Sequence, residues 1–196
     1  VLDDAFQHRK IFRDIDIVLL SPDELMHKNQ KTFPYGLLRE PFSNIDRADL
    51  IISTKANLYN GKNSAKSVLS LKTDFHDQLL CSMKNSKINI KEVSKIDSLL
   101  SICGIGKPES FDNSLKSLDI KPLKSLTFPD HHNFNKKDID SLVRKIKKRG
   151  ITAIICTEKD WVKLISFMDD IVIPIYAIRL NYSLNRDIEE SILRLL

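Results

Sequence analysis

Leu99-Leu100-Ser101-Ile102-Cys103-Gly104-Ile105-Gly106-Lys107-Pro108 holds a strand, a turn and the start of a helix in one short stretch. The run Leu99 to Cys103 is short, apolar and bounded by turn residues, as a buried strand is. Gly104, Gly106 and Pro108 then lead into a helix that runs to about Leu118, with proline at its start. The same rhythm continues downstream. Lys121 to Phe128 reads as a strand, Pro129 to Asn135 as a loop, and Lys136 to Lys148 as a basic amphipathic helix that Gly150 ends. Ile151 to Cys156 is a further buried strand, Thr157 to Leu164 a loop and helix start, and Ile171 to Ile178 another strand. Ile188, Ile192, Leu193 and Leu196 have helical spacing within Arg186 to Leu196. Upstream, Asp16 to Leu20 and Asp49 to Ser53 repeat the strand pattern, with a short helix predicted near Pro41 and a long ordered loop from Ser21 to Leu38. Tyr59 to Ser94 is rich in Lys, Asn and Ser, with a turn at Asn60-Gly61, and reads as a connection between two halves that holds one helix or hairpin. Strands alternating with helices at this spacing predict an α/β protein with a largely parallel sheet. The expected division is 1–58, a connecting segment 59–97, and a C-terminal α/β lobe 98–196 with its closing helix.

Composition bounds what such a chain does. Its 196 residues are 42% apolar and 29% charged, enough for a proper core and unlike a disordered chain. No run approaches the roughly 18 consecutive apolar residues of a membrane span. The best, Ile171 to Ile178, is broken by Pro174. Cys81, Cys103 and Cys156 are too scattered for a disulfide framework or a structural zinc site, which fits a reducing compartment. The net charge of +5 suits an anionic partner without identifying one. The chain opens on Val1, with no signal-peptide pattern. Val1-Leu2-Asp3-Asp4 reads as the end of a buried strand, so a fragment is expected, with part of the active site preceding Val1.

In parallel sheets ligands gather at the carboxyl ends of the strands. The polar clusters fall there: Asp3-Asp4, Gly104 to Pro108, Asp130-His131-His132 and Thr157-Glu158-Lys159-Asp160. Adjacent carboxylates at a strand end can meet a hard cation, directly or through its waters, or form a solvated turn. Arg39 beside Glu40 can grip phosphate and help hold a metal, or form an exposed ion pair. Asp130 next to His131 and His132 can fix a tautomer and raise basicity for proton transfer or metal ligation, and the residues alone do not rank the two histidines. Gly104-Ile105-Gly106 lacks both the dinucleotide and the phosphate-loop patterns, so a tight strand-to-helix turn is the better reading. The basic residues Arg144, Lys145, Lys147, Lys148 and Arg149 suit anionic lipid or a solvated face. No aromatic residue interleaves with them, so stacking on nucleic acid is unsupported and no nucleic-acid partner is expected.

In this order, the motifs resemble the tetraacyldisaccharide 4'-kinase family, the lipid A 4'-kinases. The matching pieces are Asp3-Asp4-Ala5-Phe6-Gln7-His8-Arg9, Pro34-Tyr35-Gly36-Leu37-Leu38-Arg39-Glu40-Pro41, Arg47-Ala48-Asp49, Gly104 to Pro108, Phe128-Pro129-Asp130-His131-His132 and Thr157 to Asp160. The resemblance implies the second half of a P-loop NTPase-like parallel sheet, followed by a second, smaller α/β lobe. It implies ATP- and Mg2+-dependent phosphorylation of the 4'-hydroxyl of a tetraacyldisaccharide 1-phosphate, a lipid A precursor, at the cytoplasmic face of the bacterial inner membrane. An anionic membrane surface is the second implied partner. By the same resemblance Asp3, Asp4 and Glu40 would lie near the metal. Gln7, His8 and Arg39 would bind the nucleotide, and His131, held by Asp130, would reach the reacting hydroxyl.

The chain also departs from the family pattern. Its phosphate loop, the acid that pairs with the histidine and the N-terminal membrane-associating helix are not in the sequence. Ala5 stands where many members have glycine. These residues alone are therefore expected neither to bind ATP tightly nor to transfer phosphate, whereas the intact gene product would. Two other readings stay open: a metal-dependent phosphoesterase using Asp130-His131-His132 with Asp14 and Asp16, and a non-catalytic relative that lacks the loop by nature.

Overall fold

A computed structural model describes residues 1–26, 31–36, 38–55, 57, 68–83 and 86–196. In chain order the elements are β1 (Ile17–Leu20), α1 (Pro22–Met26), a 3-10 turn (Phe42–Arg47), β2 (Leu50–Ser53), β3 (Val68–Ser70), β4 (Thr73–Phe75), β5 (Gln78–Cys81) and β6 (Ser86–Asn89). They continue with α2 (Ile90–Val93), β7 (Leu99–Cys103), α3 (Pro108–Ser117), β8 (Lys124–Thr127), α4 (Lys136–Arg149), β9 (Ala153–Thr157), α5 (Glu158–Leu164), β10 (Ile175–Ile178), β11 (Leu180–Tyr182) and α6 (Arg186–Leu195). The Asn60-Gly61 turn lies outside the described residues.

Two compact units emerge: Val1–Asp74 with Tyr182–Leu196, and Phe75–Asn181. In the first, β1, β2 and β3 form a parallel sheet in that order. The Asp49 carboxylate starts it, accepting the Asp16 N–H at 2.8 Å just before β1. Leu50 and Ile52 of β2 pack with Leu71 and with Ile188 of α6. Val1 and Leu2, expected to end a buried strand, are exposed and carry no strand pairing.

The second unit is built on a six-stranded sheet in the order β6-β5-β10-β9-β7-β8. Its four central and distal strands, β10, β9, β7 and β8, are parallel, and the β5–β6 hairpin adds an antiparallel edge. Helices cover both faces, which is why β7 and β9 are apolar almost throughout. Leu100, Ile102, Ile154 and Cys156 point to the face closed by Ile139, Leu142 and Ile146 of α4 and Leu164 of α5. Leu99, Cys103, Ala153 and Ile155 point the other way, to Phe111 and Leu115 of α3. This period-2 alternation across one sheet gives a three-layer α/β/α unit.

Register places the loops. Cys103 pairs with Thr127 and Ile102 with Cys156, so β7, β8 and β9 end at one level. The turns that follow, at Gly104, Phe128 and Thr157, therefore emerge side by side.

Candidate functional site

In the second unit the turn after β8 carries Asp130 and His131. His131 has φ 57°, in the left-handed region that costs a non-glycine residue about 1–2 kcal/mol. Asp130 offsets this, its Oδ1 accepting the His131 N–H at 3.0 Å. Its other oxygen lies 3.8 Å from His131 Nε2, beyond hydrogen-bond range, and the imidazole is 83% exposed. The geometry thus presents the ring at the strand ends while fixing its backbone.

His132 has the opposite surroundings. Its Nε2 meets Asp138 Oδ2 at 3.0 Å, its ring stacks on Phe128 at 4.8 Å, and Phe134 meets it edge-on at 5.1 Å. Asp138 is itself tied into the start of α4, where Asn135 and Asp138 form a capping box. The Asn135 N–H and the His132 imidazole hold the Asp138 carboxyl below the usual carboxylate range. His132 is thereby a structural post, whereas the His131 ring is left exposed.

Two glycines floor this turn. A Cβ on Gly106 would stand 3.1 Å from Asp130 Oδ2, and one on Gly104 would stand 3.1 Å from Asp160 Oδ1 and 3.3 Å from the Pro129 carbonyl oxygen. A side chain at either position would push these neighbours back by a few tenths of an ångström. Asp160 is fully buried at the start of α5; its Oδ2 accepts the Gly104 N–H at 3.0 Å and the Thr157 hydroxyl at 2.7 Å. Burial raises the Cys103 thiol, an effect the Thr127 hydroxyl reduces and the Asp160 charge augments. Burial, then Asp160, pushes Cys156 well above its usual value. Both thiols stay protonated and inert.

In the first unit the structure brings together Asp4, Gln7, Arg39 and Glu40 from the second set of expected site residues. Asp4 has φ 52°, and its exposed carboxylate takes a hydrogen bond from Arg39 at 2.7 Å and a long one from Gln7 Nε2 at 3.4 Å. Both Glu40 oxygens are engaged: Arg47 donates to each at 2.8 Å, and Asn44 to Oε2 at 2.9 Å. The Arg47 guanidinium also lies 4.4 Å over the Phe6 ring, joining the 3–8 segment to the 39–40 segment. Arg13 Nη1 donates to the carbonyls of Ala5, His8 and Ile11, and its Nε meets Asp16 at 2.7 Å. A pocket of about 180 Å3 opens between Phe6, Gln7, Val18, Arg39, Glu40 and Ile45.

Arg13, Asp138 and Lys163 had no role in the sequence reading, and Arg47 and Asp160 entered it only as parts of motifs. The Asn135-x-x-Asp138 pattern is a readable capping signal; the Arg13 contacts fall within an irregular segment that no helical or strand period marks, and Arg47 reaches back to Phe6 far away in the sequence. Among the described residues no three His, Cys, Asp or Glu side chains gather at metal-binding spacing. Asp3 and Asp4 nonetheless suit a hard cation, being consecutive exposed carboxylates with acceptor-only oxygens.

In the second unit, a parallel-rich sheet whose strand-end turns carry an exposed histidine and closely packed glycines defines an α/β protein with its polar loops at the strand ends. Over residues 1–196 the chain matches the family LpxK, tetraacyldisaccharide-1-P 4'-kinase, and it belongs to that family. It is 32% identical over 98% of its length to the tetraacyldisaccharide 4'-kinase of Koribacter versatilis, covering 55% of that protein. With its counterpart from Chlorobaculum tepidum it shares 36% identity over 84% of its length, covering 47% of that protein. A crystal structure of LpxK from Aquifex aeolicus in complex with ATP superposes with a TM-score of 0.61 at 25% identity, covering 99% of this chain and 56% of that one. The chain thus spans about half the length of the relatives it matches.

Proposed function

We propose that the chain supplies the metal-side acids and the proton-handling histidine of an ATP-dependent kinase. That kinase phosphorylates the 4'-hydroxyl of a tetraacyldisaccharide 1-phosphate in lipid A synthesis. The observation that carries this reading is His131: an exposed imidazole on a left-handed turn, fixed by Asp130, in a chain that matches the family from end to end. Phosphoryl transfer is chiefly positioning and charge neutralisation. Arg39, together with Gln7 and His8, would meet the nucleotide phosphates. Asp3 and Asp4, with Glu40 next to Arg39, would hold Mg2+, which neutralises phosphate charge when bound. His131 would accept the proton of the attacking hydroxyl, Asp130 keeping the turn that aims it.

The basic row Arg144, Lys145, Lys147, Lys148 and Arg149 is exposed on α4 and suits an anionic membrane surface. That supports peripheral attachment at the cytoplasmic face of the inner membrane. No helix among the described residues is long and apolar enough to cross a membrane.

In the complete gene product, His131→Ala should lower kcat by about a hundredfold or more while the KM for ATP stays within twofold. Asp4→Ala should raise the Mg2+ concentration needed for half-maximal rate. An unchanged magnesium response would remove Asp4 from the metal site, and full turnover by His131→Ala would end the reading. Assayed alone, residues 1–196 contain no Gly-x-x-x-x-Gly-Lys-Ser/Thr and are expected to transfer no phosphate.

A further inference from the structure

Helix α5 grips the turn that carries His131 at two points. Lys163 Nζ donates to the His132 carbonyl oxygen at 2.8 Å, holding the C-terminal side of the turn. Asp160 acts on the other side through Gly104. Its Oδ2 fixes the Gly104 N–H, and the Gly104 α-carbon is the floor beneath the Pro129 carbonyl and the His132 β-carbon. Thr157 locks this acid in place, its hydroxyl donating to Oδ2 while accepting the Asp160 N–H at 3.2 Å.

Asp160 Oδ1 is the telling atom. It is buried and has no hydrogen-bond partner, although buried polar atoms are nearly always paired. Thr157 already caps α5, so the helix does not need this carboxylate as its cap. The second oxygen packs instead against Gly104, where it fills the space next to the turn. A left-handed His131 persists only where its surroundings over-determine it, and α5 supplies that restraint from below while Asp130 supplies it from within.

We propose that Asp160 and Lys163 are positioning residues for His131, with α5 acting as the clamp that holds the imidazole at its working place. This rests on the reading of His131 as the proton-handling residue.

The test measures steady-state phosphoryl transfer by the complete gene product, with Lys163→Met, Asp160→Ala and Asp160→Asn made alone and each combined with His131→Ala. Lys163→Met and Asp160→Ala should each lower kcat by about tenfold to a hundredfold with the KM for ATP within twofold. Asp160→Asn keeps an acceptor for the Gly104 N–H and should retain most of the rate. In the His131→Ala background none of the three should lower kcat further, because a residue that acts through His131 has nothing left to position. Losses that multiply with that of His131→Ala, or Lys163→Met at the parent rate, would overturn the proposal. Should Asp160→Ala fail to fold, Lys163→Met decides alone, since it removes one half-buried contact. Full activity in His131→Ala itself would overturn the functional reading instead, and is read separately in the same assay.

Discussion

Adjacent histidines close the turn after β8, and their neighbours divide the work between them. His132 is wedged between Phe128 and Phe134 and bonded to Asp138, while His131 projects from a left-handed backbone. Sequence showed the pair but not this division, because imidazole chemistry is identical in both and only packing separates them. The Asp138 carboxyl is held low by the Asn135 N–H and by His132, so the folded state favours its charged form. Its stabilisation is therefore present above the usual carboxylate pKa of about 4 and lost as pH falls through the depressed folded value. Asp138→Asn should flatten the acid side of the stability–pH curve below about pH 4, measured by urea unfolding at stepped pH. An unchanged acid limb would show that Asp138 is not the group being titrated. Arg13 and Arg47 were harder to foresee. Arg13 reaches carbonyls and the Asp16 carboxylate in an irregular segment, and Arg47 reaches the Glu40 carboxylate and the Phe6 ring, and no spacing rule encodes either set.

Elements with full local signals were legible. The helix α4 has an apolar stripe at Ile139, Leu142 and Ile146, Asn135 as its cap and Gly150 in the left-handed conformation at its end. Asn135 accepts from the N–H groups of Lys137 and Asp138, so Asn135→Ala should cost about 1 kcal/mol of stability in a denaturant titration. It should also loosen the His132–Asp138 bond, visible as a shift of the His132 ring resonances. Strand lengths were less legible than strand identities. The last parallel strand was expected from Ile171 but begins at Ile175, directly after Pro174, which has no N–H to donate. Helix α1 was missed inside the expected loop because five residues do not complete an amphipathic period. The β5–β6 hairpin was expected only as one helix or hairpin within the connection, because an edge pair needs only one apolar face and its lysines and asparagines read as loop.

Across the whole molecule, parallel α/β architecture follows from alternation of short apolar runs and helical periods, and the structure agrees. What covers each apolar face did not follow. The period of α6 marks Ile188 as buried, yet only the structure shows that it packs on Leu50, Ile52 and Leu71. The candidate site was legible at its strand ends and illegible in its supports, because Asp160 and Gly104 lie far apart in sequence and meet only after β7 and β9 align. The two units also predict unequal responses to core damage. Ile155→Ala, in the core of the second unit, should cost about 2–5 kcal/mol there and should also lower hydrogen-exchange protection in β2 of the first. Ile188→Ala should deprotect β2 while leaving β9 as protected as before. Equal protection of β2 in both variants and the parent would refute that asymmetry.

The reason lies in chain connectivity. The first unit is written in two instalments, and the second unit is spoken in full between them. Until Phe75–Asn181 folds, α6 is tethered to its own sheet by a long slack chain, whose closure entropy opposes docking. Folding of the insert brings its own ends together, the His76 N–H bonding to the Arg179 carbonyl at 3.1 Å. The slack is then gone, and α6 is delivered at high effective concentration to a sheet that has been waiting for it. Residues 75–181 thus act as an internal chaperone for the segments on either side of them, and α6 can seal β2 only after they have folded.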